Sequence, residues 1–335
     1  MSTETDIPPK ADAPVSAALL PRRLSRALSR YSGVVIWAGL IVLFGILEPS
    51  TFLTTSTLRS VLSDQAITAM MALALLLPLA AGVFDLSIAS MMGLAIMLVA
   101  EFQSKGMPWV PSVVLVLAIG LLVGAINAGI VIGLGVDSFI ATLGTSSILL
   151  AIVEAINGGE QITSGISTKF TDIATAEIFS IVLPVFYMLI LGGVLWYVME
   201  YRQIGRYMFA TGSNPEAARL AGVPIDRFRA IALLVSATVA TLAGIIFVAK
   251  IGSASPDSGP PYLLPAFAGA FLGATQIKPG RFNVWGTLIA VYLLATGVEG
   301  LQLSGAASWI DDAFNGIALI LAVALSVRAS RSRKT

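Results

Sequence analysis

The sequence contains no cysteine and no histidine among its 335 residues. Those two absences exclude disulfides, thiolate nucleophiles, imidazole general bases, Ser-His catalytic pairs and His-containing zinc sites. No lysine follows a glycine anywhere, so the phosphate-cradling G-x-x-x-x-G-K-[ST] loop is missing and the chain has no ATPase motif of its own. Charge is scarce too: 12% of residues are charged and 56% hydrophobic, where soluble domains carry about a quarter charged residues. An enzyme would be left with a pair such as Ser-Lys, and Lys105, Lys169 and Lys250 fall outside or at the edge of the apolar runs. The reading is therefore not an enzyme, with no catalytic residue, no cofactor, no metal and no nucleic-acid partner.

What is present is a succession of apolar runs. A tilted helix needs about 20 apolar residues to cross a bilayer, and ten windows qualify, near 32–47, 65–83, 86–100, 110–135, 139–154, 178–199, 230–249, 263–277, 284–298 and 312–327. The expected fold class is an all-α polytopic membrane protein with about ten transmembrane helices. Several windows hold only about fifteen residues, roughly 22 Å of helix, and read as broken or buried helices. Eight or nine full spans with a re-entrant piece stay open as an alternative. Placing both termini in the cytoplasm puts sixteen of the 20 lysines and arginines inside, leaving Arg59, Lys105, Lys169 and Lys250 outside. Four spans then follow the first and four follow the sixth with opposite starting orientation, which permits an inverted repeat.

The domain reading is a disordered basic cytoplasmic tail at 1–31, a transmembrane permease domain at 32–327 and a basic cytoplasmic tail at 328–335. Charge followed by an apolar run also fits a signal peptide. No small-x-small cleavage site follows, so a retained first span is expected.

The largest break in hydrophobicity is the polar segment 200–229, which carries Arg202, Arg206, Arg219, Arg227 and Arg229. Inside it lies the run Ser213, Asn214, Pro215, Glu216, Ala217, Ala218, Arg219, Leu220, Ala221, Gly222, Val223, Pro224. Asn214 can cap a helix, Pro215 suits its first position, Glu216 favours the positive end of the dipole, Gly222 permits a left-handed exit and Pro224 forbids continuation. About seven helical residues are predicted, too few to be stable alone in water, so a docking partner is implied.

Among the polar residues near the runs, Asp85 reads as a cap for the helix that follows it, or as a hinge or contact at the cytoplasmic mouth. Asn127 either bonds across helices or faces a water-filled path. Gly120, Gly124 and Ala128 on the same run would let helices approach closely. Asp64, Asp85, Glu101, Asp137, Glu154 and Glu299 all fall near predicted ends, where no proton or sodium relay is visible.

Four motifs resemble the membrane permease subunits of bacterial ABC importers for monosaccharides, of the ribose, xylose and galactose type. Residues 82–90 (GVFDLSIAS) look like the family's G-x-D-L-S-V-G-S element. Asn127-Ala128-Gly129, followed by Phe139-Ile140-Ala141-Thr142-Leu143-Gly144-Thr145, is similar to its N-G and P-F-I-x-T-L-G segments. Residues 212–223 are close to G-x-N-x-x-A-A-R-L-S-G-I, and residues 280–289 match G-R-G-S-x-x-G-T.

The resemblance implies a type II ABC importer-like fold and a subunit that moves a pentose or hexose across the bacterial inner membrane by alternating access. It also implies a second permease copy, identical or related, two cytoplasmic ATP-binding subunits or a fused tandem ATPase, and a periplasmic sugar-binding protein. Residues 213–222 would be the coupling helix seated on the ATPase. Asp85, Asn127 and Thr142 are the candidate pathway or structural residues. Ala89, Asp137-Ser138 and Phe282-Asn283 depart from the family pattern and leave the particular solute open. The rival reading is an ion-coupled secondary carrier for a small polar solute.

Overall fold

Punctuation by proline, glycine and capping residues divides the chain into the helices of the computed structural model, which describes residues 32–307 and 309–331. The helices are α1 (Ser32–Leu47), α2 (Thr55–Ala74), α3 (Leu76–Ala80), α4 (Ile88–Ser104), α5 (Trp109–Ala128), α6 (Ser138–Ala155), α7 (Thr168–Thr175), α8 (Leu183–Tyr201), α9 (Gln203–Ser213), α10 (Pro215–Leu220), α11 (Ile225–Ile251), α12 (Leu263–Gly273), α13 (Val284–Leu303) and α14 (Ile310–Arg331). The tail expected at 1–31 lies outside the described residues. Of the tail expected at 328–335, residues up to Arg331 continue α14 and the rest lie outside.

All ten apolar windows fall on helices, but the boundaries differ for local reasons. Helix α2 starts ten residues before its window because the Thr54 hydroxyl accepts the Thr57 N–H at 3.1 Å. It stops at Ala74 because Pro78 has no N–H for the Ala74 carbonyl and its ring crowds that oxygen. The first residues of the 178–199 window are strand: Glu177–Ile178 pairs antiparallel with Ile181–Val182 across Phe179 and Ser180, both at positive φ. The 263–277 window is helical only to Gly273, about 16 Å at helical rise.

Six helical stretches are long and apolar enough to cross a membrane: Thr55–Ala80, Trp109–Gly133, Ser138–Gly159, Leu183–Tyr201, Ile225–Ile251 and Val284–Leu303. Helices α1 and α4 are apolar but shorter. A bilayer's hydrocarbon core is roughly 30 Å thick, and α4, though short of that, is almost wholly buried in protein, where a broken element is tolerated.

Helices α2, α4, α11 and α13 form the centre, while α5, α6 and α8 keep most of their apolar surface exposed. The buried centre is rich in methionine (Met70, Met71, Met91, Met92, Met97), which fills irregular gaps between kinked helices. Two packing sets mirror each other. Helix α11 packs on α4 and α5, and α4 on α5 and α6; likewise α2 packs on α12 and α13, and α12 on α13 and α14. Helices α2 and α11 also touch, and Lys250 near the end of α11 bonds Asp64, midway along α2, at 2.6 Å.

The small-residue run of α5 serves close packing. A side chain at Gly120 would overlap the Thr241 hydroxyl, and one at Gly124 would press on Ala237 and the Leu234 backbone, both on α11. Asn127, one turn further on, bonds to the segment before α4 rather than to solvent.

Candidate functional site

Helix α10 is built as its residue order requires. The Asn214 side chain accepts the Ala217 N–H at 3.0 Å and Pro215 opens the helix. Glu216 stands in the first turn and Arg219 in the last. Ala221 ends it as the C-cap, so six residues are helical, one fewer than predicted. Gly222 follows at φ +80°, its N–H donating to the Arg219 carbonyl and that of Val223 to the Ala218 carbonyl, both at 3.0 Å. That pair of bonds is a Schellman exit, and it satisfies two carbonyls the helix cannot satisfy itself.

Only Ala218 of α10 is buried, and Leu220 is 91% exposed. Tyr201, Ile204 and Tyr207 are exposed nearby, among Arg202, Arg206, Arg219 and Arg227, all exposed. The result is a short capped helix with an apolar tip in a basic field.

Two devices fasten this surface to the membrane helices. At the start of the segment, Glu200 bonds Lys278 at 2.6 Å and lies 3.9 Å from Arg281. Arg281 also donates to the Met199 carbonyl at 3.4 Å and stacks on Phe209 of α9, 3.9 Å from the ring centroid. The loop carrying Lys278 and Arg281 is organised by Asn283. Its amide nitrogen lies 3.1 Å from the carbonyls of Gly273, Gln276 and Arg281, and its oxygen accepts the Gly286 N–H at 2.8 Å, capping α13. At this departure from the family's Gly-Ser, Asn283 thus caps α13 and braces the loop.

At the other end of α9, Gly212 meets the turn after α3. A side chain there would collide with the Ala80 carbonyl, and one on Gly82 would come within 3.0 Å of the Gly212 Cα.

That turn leads into residues 83–87, where Asp85, Asn127 and Thr142 come together. All three are fully buried. Asp85 Oδ1 accepts the Ser87 N–H at 3.1 Å and the Ser87 hydroxyl at 2.6 Å. Asn127 Nδ2 of α5 donates to the Ser87 hydroxyl oxygen at 2.9 Å. The Thr142 hydroxyl of α6 accepts the Leu86 N–H at 3.0 Å, and Ser138 accepts that of Phe84 at 3.0 Å. Ser236 of α11 sits beside the Asp85 carboxyl. Asp85 accepts a backbone N–H, as a capping role requires, but from Ser87, one residue before α4 begins; it therefore fastens the whole turn.

Asp85 Oδ2, Asn127 Oδ1 and Ser236 Oγ are buried without partners among the described residues. Hydrogen bonds thus join the turn from α5 and α6, with α11 alongside, in a low-dielectric interior where losing one partner costs more than the bond is worth. Asp85→Leu is expected to lower stability by about 2 kcal/mol or more, while Asp85→Asn keeps an acceptor for Ser87 and costs less. Thermal melting in detergent checks the order; equal melting of the two variants would contradict the network.

A cavity of about 320 Å³ lies between the turn after α3, the segment that joins α5 to α6, the start of α6 and the start of α11. Asp137, Ser138, Asp226 and Arg229 give it polar walls. Asp137 doubles as the α6 cap, accepting the Phe139 N–H at 3.0 Å. Glu200, Lys278, Ser87 and Ser236 were not among the residues singled out from sequence. Their signals existed, as motif neighbours and polar residues in apolar runs, but Ser87 meets Asn127 40 residues away in the chain and Glu200 meets Lys278 78 residues away.

A protein family described as branched-chain amino acid transport system / permease component matches residues 57–323. Among curated proteins, the autoinducer 2 import system permease protein LsrD of Yersinia pseudotuberculosis is 33% identical over 84% of this chain and 86% of its own length. The ribose import permease protein RbsC of Haemophilus influenzae is 30% identical over 85% of this chain and 88% of its own. The LsrD protein of Salmonella paratyphi A is 29% identical over 88% and 91%. No solved structure matches.

Proposed function

This chain belongs to the family described as branched-chain amino acid transport system / permease component, and from its relatives we propose that it carries a monosaccharide, a pentose or hexose, inward across the membrane. As a permease component it is a multi-pass inner-membrane protein and not itself an enzyme. The choice of sugar over amino acid rests on the relatives, which are named for ribose and autoinducer 2 import.

The energy source is ATP, hydrolysed by partner subunits. The observation that carries this is α10: a doubly capped helix with an exposed leucine at its tip, directly following α9, which Gly212 and Arg281 hold against the turn after α3 and the loop before α13. The fold is that of a type II importer with ten spans and both termini cytoplasmic. The mirrored packing of α2 and α11 supports its inverted repeat. The working assembly has two permease copies, two ATP-binding subunits or one fused tandem ATPase, and an external sugar-binding protein.

Closure of the ATPase would push α10, the push would pass through the Gly82–Gly212 contact to residues 83–87, and α4, α5 and α6 would follow through their bonds to that turn. Residues 200–229 are the coupling loop of a permease domain at 32–327. Sealed vesicles should import sugar only when ATP is present inside or regenerated. Uptake that survives ATP depletion and collapses with the ion gradient would overturn the reading.

A further inference from the structure

Helix α11 begins at Ile225 beside α10 and ends at Ile251, which places its two ends about 40 Å apart. At the far end, a second cavity of about 420 Å³ opens between α2, α12, α13 and α14, with Phe247 on its wall. Carboxylates, an amide and a hydroxyl converge on its lining. Asp64, Asp311 and Asp312 supply carboxylates, Asn315 an amide and Thr68 a hydroxyl. Phe247 and Tyr262 form an edge-to-face aromatic pair, 6.0 Å between centroids at 80°.

Two of these side chains are nine-tenths buried yet incompletely bonded. Thr68 is 7% exposed and its hydroxyl has no hydrogen bond among the described residues. Asn315 is 8% exposed; its Nδ2 donates to the Asp311 carbonyl at 2.9 Å and its oxygen accepts nothing among the described residues. Both residues line the cavity, and neither oxygen is among the fully enclosed unpartnered atoms, so each stays reachable from the cavity for a bound solute.

We infer that this cavity is a recognition site, within the permease itself, for an uncharged polyhydroxylated solute. The inference rests on the monosaccharide reading above and assigns it a place.

The charge balance narrows the class. Asp64 is matched by Lys250 at 2.6 Å, and Asp311 takes the Gln302 amide on both oxygens at 2.8 Å. Asp312 has neither kind of partner among the described residues, so the site keeps negative character and repels anions. Carboxylates and the Asn315 oxygen accept only, which suits the hydroxyl donors of a sugar; the Thr68 hydroxyl can also donate. Burial and the neighbouring Asp64 push the Tyr262 phenol up to about 12, so it stays a neutral donor. The aromatic pair offers an apolar wall for the C–H face of a ring.

The test uses the complete importer in proteoliposomes, with its ATP-binding subunits and binding protein. Radiolabelled D-ribose, D-xylose and D-galactose are compared with L-leucine and D-ribose 5-phosphate. Asp312→Asn, at an exposed position on the first turn of α14, and the isosteric Thr68→Val are assayed at equal incorporation, measured by the ATP-binding subunit that copurifies. The wild type should import at least one sugar and reject the phosphate ester. Each variant should import that sugar at least tenfold more slowly, with a changed ranking among the three.

Unchanged rates and ranking in both variants would overturn the site while leaving the monosaccharide reading intact. Import of leucine or the phosphate ester without any sugar would overturn both. Collapse of uptake when divalent cations are chelated only on the side opposite the ATP, with Mg²⁺ kept on the ATP side, would mark the carboxylates as a metal site and overturn the assignment.

Discussion

Gly222→Val is expected to abolish import while leaving the chain in the membrane. Gly222 sits at φ +80° with nothing within 4 Å of where a side chain would go, so the cost is carried by the backbone alone. A left-handed conformation costs an ordinary L-residue about 1–2 kcal/mol, and a β-branched residue more. The alternative is to abandon that conformation, which breaks the bonds to the Arg219 and Ala218 carbonyls.

A six-residue helix of about 9 Å has no length in reserve to absorb either loss. Gly222→Asn tests the mechanism, because asparagine visits the left-handed region with little penalty and should retain most import. Glu216→Lys opposes the helix dipole at the same element and should act in the same direction. Uptake measured with copurification of the ATP-binding subunit is the readout. Normal import by Gly222→Val and Glu216→Lys would refute the coupling role.

Gly212→Val should separate ATP hydrolysis from import. A built Cβ at Gly212 collides with the Ala80 carbonyl and comes within 2.9 Å of the Gly82 nitrogen, so the obstacle is backbone, which cannot rotate away. Helix α9 must then lift off the turn that leads to Asp85. The assembly should still bind and hydrolyse ATP, because α10 keeps its caps, but the push would no longer reach residues 83–87. Gly193→Ala on α8 is the matched control, since nothing lies within 4 Å of its side-chain position. A Gly212→Val protein that imports at the wild-type rate per ATP hydrolysed would remove this contact from the coupling route.

Legibility followed the range of the interactions. The caps of α10 could be read because each joins residues three to five apart, and the order Asn214, Pro215, Gly222 spells them out. Asp85, Asn127 and Thr142 could each be singled out as polar residues near apolar runs, but their convergence could not. It depends on Pro78 ending α2, on Gly82 turning the chain, and on Gly120 and Gly124 bringing α5 against α11. The Glu200 clamp and the cavity lined by Asp64 and Asp312 were invisible for the same reason. Ser87 and Asn127 are 40 positions apart, Glu200 and Lys278 are 78, and Asp64 and Lys250 are 186. Helix ends were misjudged where a cap or a tight turn outweighed hydrophobicity, as at Thr54 and at Phe179-Ser180.

By itself the sequence determined that this chain is a polytopic membrane protein without hydrolytic chemistry and with one short, capped, polar helix. Composition and nearest-neighbour backbone rules suffice for each of those statements. Tertiary structure alone decided that Gly212 presses on the turn after α3, that two motifs meet around Ser87, and that carboxylates from α2 and α14 face one cavity. The physical reason is that a hydrophobic run specifies that a helix will be buried but not against which neighbour; that choice is made by glycines and kinks whose partners lie far away in the chain.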